Sequence, residues 1–497
     1  MSPLSPLSRT VIIAGAGPTG LMLAAELGLA GVPTIVVERL AEPGDDVKIG
    51  TFHARSVELL EQRGLFDEIP KDQLPKWPRI HFGHLWLDLE KMGDSEYFFM
   101  LSHRQVEDIV ERRAVELGAD IRRGHELTAV EQDESGVTVT VRHAGGEEHI
   151  HGGYLVGADG ADSAVRRLVG FDAPPEGSSW YGVLGDLQQY DGEFEVGVYP
   201  GGIFGALPDG VGNFRLQATS FDVPAPGDDE PVTLDELREN VERVTGRQVT
   251  VGSPSWLRRY TGVTRLAEKY RQGRVFLAGD AAHVYFYPAG HNVNTNLHDA
   301  ANLGWKLAAE INGWAPEGLL DTYHGERHPV GRRACTSTRA QMALAHPLDQ
   351  VGPLREVFAD LTRYEDVNRH LITIVTDIHY PMPGGADAHP LAGRPVPQVG
   401  LKRADGETST AAVLREGRGV LLDLSGTPAG AAFVEAAGAS GWAGRVGVVS
   451  AQPVPELDAE LLLLRPDGVV AWAARDAVGP EELRAALAAW FGAAEAA

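Results

Sequence analysis

The chain has 497 residues, a formal net charge of −25, 43% hydrophobic and 23% charged residues. That length allows several hydrophobic cores, so two or three domains are expected, and the acidic balance argues against nucleic acid or anionic membrane partners. A single cysteine, Cys335, excludes an intrachain disulfide and a cysteine-based metal cluster, and no metal site is expected. Met1–Arg9 is Ser/Pro-rich without a charged n-region, and no apolar run reaches the roughly 18 residues of a membrane span. A soluble cytoplasmic protein is expected.

Thr10–Ile13 is a short apolar run followed by Gly15-Ala16-Gly17-Pro18-Thr19-Gly20. A helical pattern of Leu21, Leu23, Ala24, Leu27 and Ala30 follows and is closed by Gly31. Thr34–Val37 gives a second strand ending at Glu38-Arg39. Three glycines between strand and helix, with an acid at the end of the next strand about 20 residues on, form a dinucleotide fingerprint. Gly15 permits the tight turn, Gly17 lets a pyrophosphate approach the backbone beside Pro18 and Thr19, and Gly20 permits helix–strand packing. Glu38, with Arg39 beside it, is placed to accept hydrogen bonds from an adenosine ribose. The fingerprint alone does not separate NAD from FAD.

Asp45–Arg55 carries Lys48, Gly50, Phe52, His53 and Arg55 ahead of a helix from Ser56 to Arg63. His53 and Arg55 fit a cofactor contact or a surface helix start equally well. Leu101–Gln105 opens another helix, on which Arg104 is either a cofactor contact or part of a solvated face. Leu127–Glu131 and Gly136–Val141 alternate as a β-meander that includes Val130. Tyr154–Gly157 is a strand running into Ala158-Asp159-Gly160, with a helix over Val165–Leu168. Asp159 is suited to cap that turn.

From Pro174 to about Arg265 the pattern shifts to short β-like runs, Val183–Leu187, Glu195–Tyr199 and Phe214–Gln217, separated by Gly and Pro turns. Together with Ile80–Leu89 they are expected to form a sheet roofing a substrate pocket. Leu234–Val244 is an amphipathic helix opened by Thr233, with Glu236 completing a capping box. Trp180, Tyr181, Phe204, Phe214 and Trp256 are pocket-lining candidates, each better explained as an ordinary core aromatic.

Arg274–Ala278 reads as a buried parallel strand that delivers Gly279-Asp280. Leu297, Ala300, Ala301, Gly304, Ala308 and Ile311 recur at helical spacing. The loop between them carries His283, Tyr285, Tyr287, Pro288, Gly290, His291, Asn292, Val293, Asn294 and Asn296. A strand that presents an Asp, then a loop feeding a helix start, suits a polar cofactor carrying negative charge, because orphan N–H groups and the helix dipole face it.

Gly279-Asp280-Ala281-Ala282-His283 and Asp299-Ala300-Ala301-Asn302-Leu303-Gly304-Trp305-Lys306-Leu307 come after the two earlier motifs in order. Together they resemble the class A FAD-dependent aromatic monooxygenases, especially polyketide hydroxylases with a C-terminal thioredoxin-like domain. The resemblance implies FAD and NAD(P)H as cofactors. It places Lys48 where the family has an arginine near the flavin, keeping the charge but losing the bidentate fork. It puts Arg104 at an FAD-contacting position, the Val130 backbone at the adenine, Asp159-Gly160 against FAD and nicotinamide, and Asp280 on the ribityl chain. Pro288, Gly290, Asn292, Val293 and Asn294 then run along the flavin. In this loop Tyr287 stands at the usual proline, Ala289, Asn292 and Asn296 replace glycines, and His291 replaces a glutamine. Asparagine tolerates left-handed backbone best, so Asn292 and Asn296 are expected to adopt it. His291 and Tyr287 are the candidate catalytic bases beside a substrate phenol.

Tyr323-His324-Gly325-Glu326-Arg327-His328-Pro329 matches a turn of the same family and precedes a long helix holding Cys335, read as structural. Pro381–Pro397 is Pro/Gly-rich and marks a boundary. Beyond it, strands at Gly419–Leu424, Val446–Val449, Leu461–Leu464 and Val469–Ala473 and a helix at Pro480–Trp490 resemble a thioredoxin-like fold. The hairpin between the last two strands turns at Arg465-Pro466-Asp467-Gly468. No Cys-x-x-Cys exists, which excludes dithiol chemistry.

The expected fold class is α/β. A Rossmann-like FAD-binding domain of glutathione-reductase type (residues 1–77, 100–176 and 266–390) is interleaved with a β-sheet substrate domain (78–99 and 177–265). A thioredoxin-like domain (391–497) follows. The resemblance implies that NAD(P)H reduces the flavin, O2 adds at its C4a carbon, and the hydroperoxide hydroxylates, or inserts oxygen into, a polycyclic aromatic polyketide-type substrate. A homodimer is compatible with this. Two other readings stay open. One is a flavoprotein of the same fold whose altered loop serves a dehydration, isomerisation or oxidation; the other is a non-catalytic polyketide-binding scaffold.

Overall fold

Five short strands run parallel in the spatial order Val275–Leu277, Tyr154–Gly157, Val11–Ala14, Thr34–Glu38, Asp120–Arg123, with Arg271–Gln272 antiparallel at one edge. Val11–Ala14 and Tyr154–Gly157 are buried at every residue, as a parallel sheet covered on both faces requires. The computed structural model describes residues 9–44, 49–69, 74, 76–208, 214–227, 230–286, 292–382, 388–436, 439–475 and 479–495. Lys48, Tyr287, Pro288, Gly290 and His291 lie outside these residues.

The order of the strands has a direct consequence for function. The motifs met separately along the chain all leave the C-terminal edge of one sheet, where open α/β sheets bind nucleotides. Backbone bonds stitch that edge together: Gly15 N–H donates to Val37 O (2.8 Å), Ala158 N–H to Ala14 O (2.8 Å), and Ala278 N–H to Gly157 O (2.9 Å).

A six-stranded antiparallel sheet forms the second layer, in the order Glu195–Tyr199, Gly202–Pro208, Phe214–Ser220, Pro175–Leu187, Pro254–Leu266, His283–Val284. Among the described residues, Arg79–Phe82 and Leu85–Asp88 pair only with each other, as a hairpin apart from the six-stranded sheet they were expected to join. The helix Leu234–Thr245 covers the sheet. Thr233 Oγ1 accepts from Glu236 N–H (3.2 Å), while the Glu236 carboxylate takes Arg259 (2.7 and 2.6 Å), so Glu236 serves the sheet as well as the cap.

The C-terminal sheet has the order Val446–Ser450, Gly419–Asp423, Leu461–Leu464, Val470–Ala474, one parallel and two antiparallel pairings, with the helix Pro480–Phe491 packed on it. A buried polar cluster docks it onto the first domain. Glu326 accepts from Arg465 Nη1 (2.7 Å) and Nη2 (2.9 Å), Lys306 Nζ (2.9 Å) and Asn302 Nδ2 (2.7 Å). Arg465 also pairs with Asp467, and its guanidinium lies 4.7 Å from the Trp490 ring and 5.3 Å from the Trp305 ring. A second buried pair, Arg63 with Glu26 (2.6 Å), donates onward to the carbonyls of Leu414 (3.1 Å) and Pro466 (2.6 Å). Burial pushes the Glu326 carboxyl up, but Arg465 and Lys306 outweigh it and hold it at about 2.

Candidate functional site

Three loops interlock at the sheet edge. Gly15 has φ +106°, and a Cβ there would lie 2.3 Å from Ala158 O, so the first loop rests directly on the second. A Cβ on Gly279 would lie 2.5 Å from Thr19 Oγ1, so the third rests on the first. Arg166, buried, bridges the second and third by donating to Ala281 O (2.9 Å) and Ala161 O (2.5 Å). Sequence reading did not single out Arg166, although a basic residue two positions after a helix start is an unusual place for burial.

The helix Pro18–Leu29 begins with Gly17 as its N-cap and Pro18 at its first position, and no side chain caps it. Helix geometry leaves the N–H groups of Thr19 and Gly20 without intrahelical acceptors. Space is open in front of them, since a Cβ on Gly17 would meet nothing within 4 Å. Asp159 Oδ2 caps the next helix at Val165 N–H (3.1 Å), while its Oδ1 is sealed from solvent with no partner. Gly160 has φ +82° and open space before it. An uncapped helix start, a bare glycine and a buried acceptor lacking a donor fit a dinucleotide diphosphate and its sugar. Glu38 braces the turn: Oε2 accepts from Ala16 N–H and Oε1 from Leu40 N–H, both 2.9 Å. Each oxygen keeps a second lone pair for a ribose hydroxyl. Arg39 is exposed, Val130 is half-buried opposite Val139 in the meander, and Arg104 pairs with Asp108 (2.6 Å) on a helix face.

The next helix along the chain spans Asn292–Ile311. Asn292 and Asn296 are both inside this helix, and neither has positive φ, which overturns the left-handed expectation. Their side chains carry the reason for asparagine instead. Asn296 Nδ2 donates to Asp280 Oδ1 (2.7 Å), and the carboxamide oxygens of Asn292 and Asn296 are sealed without partners. Asn294 ties the helix to the strand Ile49–His53, accepting from His53 N–H (2.9 Å) and donating to Thr51 O (2.8 Å), with Val293 buried beside it. Arg55 is held by Glu58 (2.8 Å). Asn296→Leu is therefore expected to weaken FAD binding by about tenfold, because Asp280 loses a donor in a partly buried place. Asn296→Gly should weaken it too, the reverse of what left-handed backbone would give; fluorescence titration of apoprotein with FAD measures both.

Under this helix start, Asp299 is fully buried and organises the third loop. Oδ2 accepts from Gly279 N–H (3.0 Å) and meets His283 Nε2 (2.6 Å); Oδ1 accepts from Arg327 Nε (2.6 Å). Arg327 continues to Tyr380 OH (2.8 Å) and Thr295 O (3.0 Å). Burial would raise the Asp299 carboxyl, yet Arg327 and His283 hold it at about 2. Sequence reading took Asp299 only as part of a family motif; the spacing of Asp299, Asn302 and Lys306 by three and four positions, one helix face of buried polar groups, is the signal that could have marked it.

Among the pocket-lining candidates, Trp180 packs against Phe221 (4.2 Å between centroids) and Phe286 (5.7 Å). Tyr181 and Phe204 belong to the core between the six-stranded sheet and its helix; Phe214 packs on Tyr190 (5.5 Å), and Trp256 Nε1 donates to Asp186 (3.0 Å). Cys335 is buried in the helix Asp321–Ala343, which pushes its thiol up to about 12. It has the environment of a structural residue.

Residues 8–338 match the family model for the FAD binding domain, and residues 389–494 match that for the C-terminal region of aromatic-ring hydroxylases. Over 493 residues the chain is 44% identical to a dialkyldecalin synthase of Streptomyces rugosporus, covering 98% of this chain and 99% of that one. It is 40% identical over 504 residues to the 12-dehydrotetracycline 5-monooxygenase/anhydrotetracycline 6-monooxygenase of Streptomyces rimosus subsp. rimosus, covering 97% and 98%. The solved structure of the Diels–Alderase PyrE3 of pyrroindomycin biosynthesis superposes with a TM-score of 0.84 at 42% identity, over 98% of this chain and all of that one.

Proposed function

The chain belongs to the family of FAD-binding aromatic-ring hydroxylases, and from that premise we propose that it is an FAD- and NAD(P)H-dependent monooxygenase acting on a polycyclic aromatic, polyketide-type compound. The observation that carries the reading is the meeting of three loops at one sheet edge, where an uncapped helix start, open space at Gly17 and the unpartnered Asp159 Oδ1 converge. FAD bound there and reduced by NAD(P)H supplies the activation of O2. The chain's own share is to hold the diphosphate at Gly15–Gly20, the ribose at Glu38 and the ribityl hydroxyls at Asp280. The start of the helix Asn292–Ile311 offers its dipole to negative charge on the ring system. The substrate domain, residues 78–99 and 177–265 in this proposal, roofs the ring and excludes water.

No helix among the described residues is long and apolar enough to cross a membrane. We place the enzyme in the cytoplasm, where NAD(P)H is available, and a homodimer remains compatible with this reading. The 44% identity to a dialkyldecalin synthase favours one second reading, a flavoprotein of the same fold whose altered residues 287–296 serve a non-hydroxylating reaction: a dehydration, an isomerisation or an oxidation. The test is NADPH oxidation with and without a fused-ring phenolic substrate under isotopically labelled O2. Substrate-stimulated NADPH use with label in the product is expected; product formation with neither NADPH use nor label would instead establish the second reading.

A further inference from the structure

The meander Glu126–Gln132, Val137–His143, Gly146–Gly152 carries a group of donor side chains at one end that the cofactor site does not use. The antiparallel register brings them together. Val141 pairs with Glu148 and His143 with Gly146, while Arg142 pairs with Glu126, so His125 follows on as the neighbour of His143. Residues two apart on a strand share a face, which puts His143 and Glu148 on the same side of the meander. One ligand atom from each of His125, His143 and Glu148 lies within 4.8 Å of the others. The two imidazoles stack with centroids 4.7 Å apart and planes at 15°.

The hydrogen bonds around the cluster leave it donors to spare. His125 Nδ1 meets Arg123 O at 2.8 Å; a carbonyl only accepts, so Nδ1 carries the proton and Nε2 keeps its lone pair. A metal-ligating histidine is held in this way, with the nitrogen away from the ion donating to a carbonyl that fixes tautomer and orientation. Glu148 Oε1 accepts from Arg122 Nη1 (3.1 Å), and Arg122 is in turn offset by Asp120 (2.9 Å). His143 Nδ1 accepts from Gly145 N–H (3.1 Å), and Gly145 is exposed, so its N–H turns to water when an ion takes that lone pair. Both rings are half-buried and have room to swing their lone pairs onto one point. Two imidazole nitrogens and one carboxylate oxygen do not suit Ca²⁺ or Mg²⁺, which take oxygen ligands. They suit a borderline divalent ion such as Zn²⁺, with its remaining position left to water. The net charge of −25 favours any cation at the surface.

We propose that His125, His143 and Glu148 form a binding site for a divalent transition metal of the zinc class, which fastens the three strands of the meander at one end. The cysteine count, which led to the expectation of no metal site, speaks only to thiolate ligands. His125 N–H also donates to Glu38 O (2.8 Å) and Gly124 N–H to Leu40 O (3.0 Å), so the ion braces the stretch that offers Glu38 to a ribose. Its role is structural, and it stands independently of the aromatic-substrate reading.

The test titrates EDTA-stripped full-length protein with Zn²⁺ in a calorimeter and reads Tm with and without the ion. Wild type is expected to take up one saturable equivalent and to gain Tm, because only the folded chain assembles the three ligands. His125→Ala, His143→Ala and Glu148→Gln should each weaken binding by at least about tenfold and remove the gain, with the metal-free Tm close to wild type. His125→Gln and His143→Asn, polar and of similar reach, repeat the comparison should an alanine variant fold poorly. His149 pairs with Thr140 on the opposite face (3.1 Å), so His149→Ala should bind Zn²⁺ as wild type does. Ca²⁺ should leave Tm unchanged. The site is overturned by wild type that binds no Zn²⁺ equivalent, by a loss confined to one of the three ligand variants, or by an equal loss in His149→Ala. A matching response to Ca²⁺ overturns the assigned class of ion.

Discussion

Gly17→Val is expected to give a soluble, folded and colourless protein. The position has extended backbone, φ −83° and ψ −176°, which a β-branched residue adopts readily, and a Cβ there meets no protein atom within 4 Å. The side chain intrudes only where the diphosphate must approach the uncapped helix start. FAD affinity should fall at least about 100-fold, roughly 2.7 kcal/mol, with the apoprotein's Tm unchanged. Gly20→Ala is the contrast. Its Cβ would stand 1.9 Å from Gly15 O, so helix and strand must separate and the apoprotein itself should lose about 1–3 kcal/mol. Equal losses of Tm in the two variants would make Gly17 a packing residue and remove the cradle from the cofactor site.

Arg465→Met should loosen the C-terminal domain. The fully buried guanidinium helps hold Glu326 ionised beneath the helix Asn292–Ile311 and pairs with Asp467 as well. Removing one partner of a buried pair leaves an uncompensated charge, at a cost of about 3–5 kcal/mol, even though Lys306 still reaches Glu326. The sign with pH follows from Glu326, whose folded value of about 2 lies below the ordinary 4.5. Its pairing stabilises wild type fully above about 4.5 and is lost as pH falls toward 2. The gap between wild type and Arg465→Met in urea midpoint should therefore be widest at neutral pH and shrink below about 4.5. Deleting the chain beyond Gly393 should cost solubility in the same way, since it strips Leu421, Trp490 and Phe491 from Trp305 and Ala309. A soluble truncated protein that keeps FAD yet loses all turnover would contradict that.

The cofactor end of the molecule was legible from residues close together in the chain. A strand ending in glycines and another ending in Gly-Asp each fold locally, and the parallel sheet brings their ends to one edge. What could not be read were contacts closing over long separations. Glu326 and Arg465 lie 139 positions apart, so matching the family motif around Glu326, read as a turn but found within the helix Asp321–Ala343, said nothing about docking. The strand Pro254–Leu266 escaped notice because Arg258, Arg259 and Arg265 interrupt its apolar alternation, and Gly202–Pro208 because glycines obscure its pattern. Asn292 and Asn296 were misread for a physical reason: asparagine in place of glycine suggested left-handed backbone, whereas the chain is already helical there, the Asn296 carboxamide reaches Asp280, and the Asn292 carboxamide oxygen is buried. His84 carries the strain instead, at a turn whose Gly-His pair gives no local sign that a helix more than 250 residues away fixes it.

The most direct test of the central claim is the visible spectrum of the purified protein, with the released chromophore identified by mass. A yellow protein that releases equimolar FAD is expected, because the sheet edge offers Glu38 to an adenosine ribose as well as a diphosphate cradle. A colourless protein that fails to take up added FAD, or one that releases only FMN, would contradict it.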